Sequence, residues 1–291
     1  MSLSIEQIES YRQNGCLVVE NVIETLVLER AREVTAAFVE RSAEVSASNE
    51  EFDLGPTHCA EKPAVRRLKD PHLQHAIYDE IKSTPKLLDI VEALLGRGVR
   101  FDHSKLNFKP ANSGAAIEWH QDWAFYPHTN DDMLAVGVLL EDCDERCAPL
   151  MVVPGSHRGP TFDHHHEGCF AGAIDPASEG FDSSSAVALT GRAGSITVHH
   201  VRAIHGSREN QTDSLRPLLL LSYMALDAWP LAGTGTFTDF ADFESRALRG
   251  VTPTVPRVET LPIRLPFPDR PNRGSIFEDQ APVRGRSFET G

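Results

Sequence analysis

Residues 118–126 read EWHQDWAFY, and His120 and Asp122 stand two positions apart in this aromatic run. An imidazole and a carboxylate so spaced can share one metal ion if a third ligand arrives from elsewhere in the chain. Alternate side chains of an extended strand share a face, so His120 and Asp122 are expected on one side of it. Trp119, Gln121 and Trp123 are then expected on the other. Two histidines and one carboxylate leave open positions on octahedral Fe(II), which is what oxygen activation requires. Candidates for the third ligand lie in VHHVRAIHGSRENQTDSLRPLLLLSY, residues 198–223. His199 and His200 are consecutive on a strand and point opposite ways, so at most one faces a common site. His205 precedes Gly206 at the mouth of a loop.

Other groups invite chemistry less well. The run His164, His165, His166 sits in a polar loop, and three consecutive residues cannot all face one ion, so it reads as surface or pocket rim. Glu118 reads as a solvated carboxylate. Cys143 and Cys147 have no second Cys or His pair at finger-like spacing, which argues against structural zinc.

These residues need elements to hold them. Ser4 and Gln7 form a capping-box pattern for a helix that runs to Asn14 and ends at Gly15. Residues 24–46 carry apolar positions at helical spacing, and 70–96 read as two helices broken near Pro85. After Gly98 short strand-like runs separated by turns take over, among them VRFDHSKLNFK, LAVGVLLED and GSITVHH. Helices first and antiparallel strands after predict a mainly β fold, a double-stranded β-helix or jelly roll with N-terminal flanking helices. A single domain over 1–291 is expected: a helical front (about 1–97), a jelly-roll core (about 98–230) and a coil-rich C-terminal wrap (about 231–291).

The bulk properties narrow the function. The chain of 291 residues carries a net charge of −14, with 41% apolar and 24% charged residues. That field disfavours nucleic acid and anionic membrane partners, and no Lys/Arg run offsets it. No apolar run approaches bilayer length, and the start has no signal-peptide pattern. Five widely spaced cysteines suit a reducing compartment, so a cytoplasmic location is expected.

The ordered motifs WHQD (119–122), PGSH (154–157) and HGSRENQTDSLR (205–216) make the chain resemble the phytanoyl-CoA dioxygenase family of Fe(II)- and 2-oxoglutarate-dependent oxygenases. The resemblance spans about residues 4–225. It implies His120, Asp122 and His205 as iron ligands. It implies Arg216, eleven residues after His205, as anchor of the far carboxylate of 2-oxoglutarate. A planar guanidinium suits that carboxylate better than an ammonium does. Ser207 and Lys105 fall where the family contacts the cosubstrate, with a basic residue from about Arg67 as an additional candidate. The implied reaction consumes dioxygen and 2-oxoglutarate, releases succinate and carbon dioxide, and hydroxylates an aliphatic carbon. Halogenases of this kind have a small residue in place of the carboxylate, so Asp122 points to hydroxylation. A non-catalytic jelly-roll binding domain would have lost a ligand or Arg216, and all are present.

The pocket residues expected from sequence are Asn107, Lys109, Trp123, Phe125, Tyr126 and Arg158, with His128, Thr129 and His157 beside them. Aromatic faces next to basic and amide groups suit a small polar molecule with an anionic head and an amine. The stretch WHQDWAFYPHTNDD (119–132) is also similar to bacterial family members that hydroxylate aminoalkylphosphonates beside phosphorus. An amino-acid-like or ectoine-like metabolite is the alternative.

Overall fold

The computed structural model describes residues 3–96, 98–112, 116–231, 239–264, 276–281, 283 and 287–288. The first helix, α1 (Ile5–Asn14), opens as the capping pattern dictates. Gln7 N donates to Ser4 Oγ at 3.2 Å and Ser4 N donates to Gln7 Oε1 at 2.9 Å. Gly15 closes it at φ +71°, and an added Cβ there would lie 2.4 Å from the His157 ring. Strand β1 (Cys16–Val19) follows, then α2 (Thr25–Arg41), which buries Leu28, Ala31, Thr35 and Phe38 along one stripe. Strands β2 (Phe52–Leu54) and β3 (Val65–Lys69) lead to α3 (Pro71–Gln74), α4 (Ala76–Lys82) and α5 (Pro85–Leu95).

The strand-rich part runs β4 (Val99–Lys109), β5 (Ile117–His120), β6 (Met133–Leu139), β7 (Leu150–Val152), β8 (His165–His166) and β9 (Cys169–Phe170). It continues through β10 (Val187–Leu189), β11 (Ile196–His200), β12 (His205–Ser207) and β13 (Arg216–Met224). Helix α6 (Phe240–Ser245), strand β14 (Ala247–Arg249) and helix α7 (Ile276–Gln280) complete the described elements. One sheet has the order β1-β11-β6-β13-β4-β3-β2, with β14 added beside β4. A second has the order β10-β7-β12-β5, and β8 pairs with β9 alone.

The expected mainly β, closed jelly roll is corrected here. Among the described residues no ladder joins the large sheet to the small one, so both are open. Seven α-helices among the described residues make the fold a mixed α/β one with substantial helix. The physical reason is visible in strand length. The small-sheet strands have three or four residues each, too few to continue the ladders of the 11-residue β4 and 9-residue β13.

Alternation along the long strands divides the two faces of the large sheet. Leu106, Val136, Val138, Leu219 and Leu221 pack with Ala31, Phe38, Tyr78, Leu87 and Val91 of the helices in the main core. Each such side chain stabilises the fold by roughly 1.5–3 kcal/mol when fully buried. Lys105, Asn107, Lys109, Ala135, Leu218 and Leu220 face the other way and line a pocket. Its opposite wall comes from Ile117, His120, Leu150, His205 and Ser207 of the small sheet. Among the described residues no helix is long and apolar enough to cross a membrane.

Candidate active site

The pocket lies between the two sheets, lined by residues of both. His120 is the last residue of β5 and His205 the first of β12, and the ladder sets them directly opposite one another. Their rings lie 4.1 Å apart. Strand β5 stops at His120, and Asp122 belongs to a 3₁₀ turn over Asp122–Ala124. The carboxylate therefore reaches the histidines by turning the corner, not by strand alternation. Trp119 and Trp123 accordingly separate: Trp119 joins Val153, Ile174 and Ile204, whereas Trp123 joins Tyr126, Met133 and Val201.

The three side chains suit a divalent ion. His120 Nδ1 donates to Glu118 O at 2.8 Å and His205 Nδ1 donates to Ala203 O at 2.9 Å. Each bond fixes the tautomer and leaves the Nε2 lone pair turned to the site. Asp122 Oδ1 lies 4.0 Å from His120 Nε2 and 3.9 Å from His205 Nε2. These separations are within the span of one ion with bonds of about 2.1 Å. One donor atom from each of the three residues lies within 4.8 Å of the others, and all three residues are buried.

Electrostatics keep the donors in ligating form. Burial pushes His120 down to about 4 and His205 well below its ordinary value, so both imidazoles are neutral. Burial alone would lift the Asp122 carboxyl. Lys105, His205 and His199 outweigh it and hold the group well below the usual carboxylate range. Burial in turn lowers Lys105, against the pull of Asp122.

Sequence reasoning missed much of what positions Asp122. His199 Nε2 lies 3.5 Å from Asp122 Oδ2, so the strand histidine that faces inward supports the carboxylate. His200 turns away and its ring lies 5.1 Å from that of His157. The Tyr126 hydroxyl hydrogen-bonds Asp122 and Ser222. Ser222 Oγ lies 3.3 Å from His103 Nε2, and His103 Nδ1 lies 2.8 Å from Asp102 Oδ2. A polar chain thus runs from Asp122 back into the large sheet. The alternating His103, Lys105, Asn107 pattern was its one signal in the sequence.

Gln121 and His164 brace the corner itself. Gln121 N donates to His164 Nε2 at 2.8 Å. Gln121 Nε2 donates to Pro160 O and Arg202 O, while Gln121 Oε1 accepts from Phe162 N. The histidine run was expected at the surface or a pocket rim; His164 is buried and His165 and His166 are half-buried, and His164 and His165 line a second cleft. Glu118 is also buried, not solvated: its Oε2 accepts from Ser287 N at 2.8 Å. Glu118 N donates to Gln280 Oε1, and the Phe288 ring lies 5.0 Å from Trp119. The C-terminal segment, expected as coil, thus contributes α7 and clamps β5, and its Ile276 lines the pocket.

At the other end of the pocket Arg216 is the first residue of β13 and stands opposite Lys109 of β4. Its guanidinium donates to Cys147 O at 3.3 Å and to Ala148 O at 2.6 Å. Lys109 Nζ donates to Ser207 O at 3.3 Å and to Arg208 O. Burial, with Arg216 beside it, lowers Lys109 well below its ordinary value. Arg67 also lines the pocket, with Nε donating to Asn107 Oδ1 at 3.2 Å and Nη1 3.8 Å from Asp53 Oδ2.

The expected substrate residues divide. Asn107 and Lys109 line the pocket with Lys105. Phe125 stands edge-on to His120 at 5.9 Å, and Tyr126 touches Asp122. Trp123 instead lines a second cleft with Phe162, Phe170 and Arg264, and its Nε1 donates to Pro262 O. Arg158 is exposed and lines neither space. His157 packs against the end of α1, its Nε2 3.2 Å from Arg12 O. His128 and Thr129 serve the backbone: His128 Nδ1 donates to Tyr126 O and Thr129 Oγ1 accepts from Trp229 N.

Comparison with known proteins agrees with this chemistry. The probable alpha-ketoglutarate-dependent hypophosphite dioxygenase of Stutzerimonas stutzeri is 38% identical over 240 residues, covering 81% of this chain and 82% of that protein. The ectoine dioxygenase of Bordetella parapertussis (strain 12822) is 30% identical over 247 residues, covering 78% and 77%. The crystal structure of EctD from S. alaskensis with 2-oxoglutarate and 5-hydroxyectoine superposes with a TM-score of 0.67 at 25% identity, covering 88% and 87%. The model of the phytanoyl-CoA dioxygenase (PhyH) family matches residues 11–218. With a His-Asp-His facial triad set in that matched region, the chain belongs to the phytanoyl-CoA dioxygenase family and is an Fe(II)- and 2-oxoglutarate-dependent dioxygenase.

Proposed function

We propose that the whole chain acts as one oxygenase unit that hydroxylates an aliphatic carbon of a small zwitterionic metabolite of the amino-acid or ectoine type. The observation that carries this is the pair of cationic stations in one pocket. Arg216 with Lys109 forms one, and Lys105, whose charge acts on Asp122, forms the other together with Asn107 and Arg67. A dicarboxylate cosubstrate occupies one station with its far carboxylate, and the other remains for an anionic substrate head. Relatives named as ectoine dioxygenases and an L-proline trans-4-hydroxylase support this class.

Iron bound by His120, Asp122 and His205, together with 2-oxoglutarate and dioxygen, supplies the oxidising chemistry. The protein's own part is placement. Arg216 offers a planar fork to the far carboxylate, with Lys109 and Ser207 alongside. Lys105 balances Asp122 and meets the substrate anion. Phe125 and Tyr126 wall the reacting carbon against water, leaving a face on which an ammonium can rest. A long acyl chain would leave the polar floor of the pocket uncompensated.

A second reading is an aminoalkylphosphonate hydroxylated beside phosphorus. It is favoured by the likeness to the hypophosphite dioxygenase, whose named substrate is a phosphorus oxyanion. Succinate release, with product confirmed by mass, decides among ectoine-like solutes, free amino acids, aminoalkylphosphonates and acyl-CoA thioesters. Hydroxylation of an amino acid or ectoine-like solute is expected. Turnover of a phosphonate alone moves the assignment to the second reading, and turnover of an acyl-CoA alone overturns both.

A further inference from the structure

We propose that Cys143 and Cys147 are a reversible disulfide site that sets the hold on Arg216, an inference that rests on Arg216 being the cosubstrate anchor. The two sulfurs lie 2.7 Å apart as free thiols, well inside ordinary contact and close to a bonded distance of about 2.05 Å. Both are buried, yet the residues between them, Asp144, Glu145 and Arg146, are exposed. A small oxidant therefore has a short path to the pair. The pair also packs against Leu218 and Leu220, which line the pocket.

The link to the site is direct. The turn that carries Cys147 also presents Cys147 O and Ala148 O, the two carbonyls that accept from the Arg216 guanidinium. Ala148 holds φ +58°, a conformation that a non-glycine residue keeps only where its surroundings impose it. In the dithiol state the shared hydrogen with Cys143 and the charge of Arg216 draw Cys147 below its ordinary value, against burial. Oxidation bonds Cys147 to Cys143 and locks the turn, which holds Cys147 O and Ala148 O fixed against the guanidinium.

The reaction balances with a hydroperoxide as oxidant. The Cys147 thiolate attacks one peroxide oxygen, the O–O bond breaks and water leaves. Cys143 sulfur then displaces hydroxide from the resulting sulfenic acid, forming S–S. In total two thiols lose two electrons and two protons, and hydrogen peroxide becomes two waters. An added dithiol reverses the step.

The test uses full-length protein with Cys59→Ser and Cys169→Ser to silence the more accessible thiols. After brief hydrogen peroxide treatment, peptide mapping should find a Cys143–Cys147 cross-link with a mass loss of two hydrogens, restored by dithiothreitol. Binding of 2-oxoglutarate to the Mn(II)-loaded protein is then titrated in both redox states. The dissociation constant should be at least threefold lower in the oxidised state, and peroxide should not change it in Cys143→Ser. Failure to cross-link, or equal dissociation constants in the two states, overturns the proposal. If Arg216→Ala leaves 2-oxoglutarate binding of the reduced protein unchanged, the anchor reading fails and the coupling with it. The comparison of the two redox states needs no other variant to fold.

Discussion

The two sheets hold their shares of the site by different means. The large sheet places Lys105, Asn107, Lys109 and Arg216 on long strands whose other face is locked into the helical core. The small sheet carries His120 and His205 at the tips of strands of three and four residues. What it lacks in ladder length is supplied by individual hydrogen bonds: Gln121 N to His164 at the corner, Glu118 N to the Gln280 side chain, and Ser287 N to the Glu118 carboxylate. The charge-bearing wall is thus rigid by hydrogen-bonded strand, and the metal wall is rigid by individual braces. Single substitutions should therefore damage the two walls differently.

The largest effect is expected from the core behind the rigid wall. Leu221→Ala empties a fully buried position between β13 and the helices. It should cost about 2–5 kcal/mol in denaturant unfolding. Next comes Arg216→Ala, which removes the fork and strips Cys147 O and Ala148 O of their donor, so circular dichroism must accompany the titration. Titration of 2-oxoglutarate should show a loss of about 2–5 kcal/mol in binding. An unchanged dissociation constant refutes the anchor role. Gln121→Ala tests the bracing of the other wall. It leaves the Phe162 amide and two carbonyls without their partner, at about 1–3 kcal/mol, read as a lowered melting temperature together with weaker metal binding. Loss of stability alone, with metal affinity retained, would break the comparison. Arg158→Ala should be within about 0.5 kcal/mol of the parent in stability and unchanged in turnover, because the residue is exposed and away from the pocket.

Acid should also act on the metal wall. Burial pushes His164 down to about 3, from a reference near 6.5. A histidine held neutral in the fold binds its proton more readily when unfolded. Its contribution is therefore fully present above about pH 6.5 and is lost progressively as pH falls toward 3. The melting temperature of the metal-free protein should fall over that window, and less steeply in His164→Gln. Equal slopes in the two proteins would show that His164 is not the group responsible.

The donor residues were legible from the sequence because their types are chemically restricted. His120, Asp122 and His205 converge as the ordered motifs imply, and the opposed directions of His199 and His200 follow from strand alternation. The path by which Asp122 arrives was not legible, since nothing in WHQDWA distinguishes a continuing strand from a 3₁₀ turn. Closure of the sheets was expected from the number of strand-like runs, but ladder length, not strand count, decides closure. Glu118 and the tail were misjudged for a common reason. A polar side chain looks solvated until its distant partner is known, and those partners lie up to about 169 residues away.

The most direct test of the account is anaerobic titration of Fe(II) with 2-oxoglutarate into the parent protein, His120→Ala and Asp122→Ala, read by metal content and by the visible absorption of the complex. The parent should take up one iron and develop the band, and both variants should lose most of each while remaining folded by circular dichroism. Full metal content and a full band in both variants would contradict the assignment of the triad.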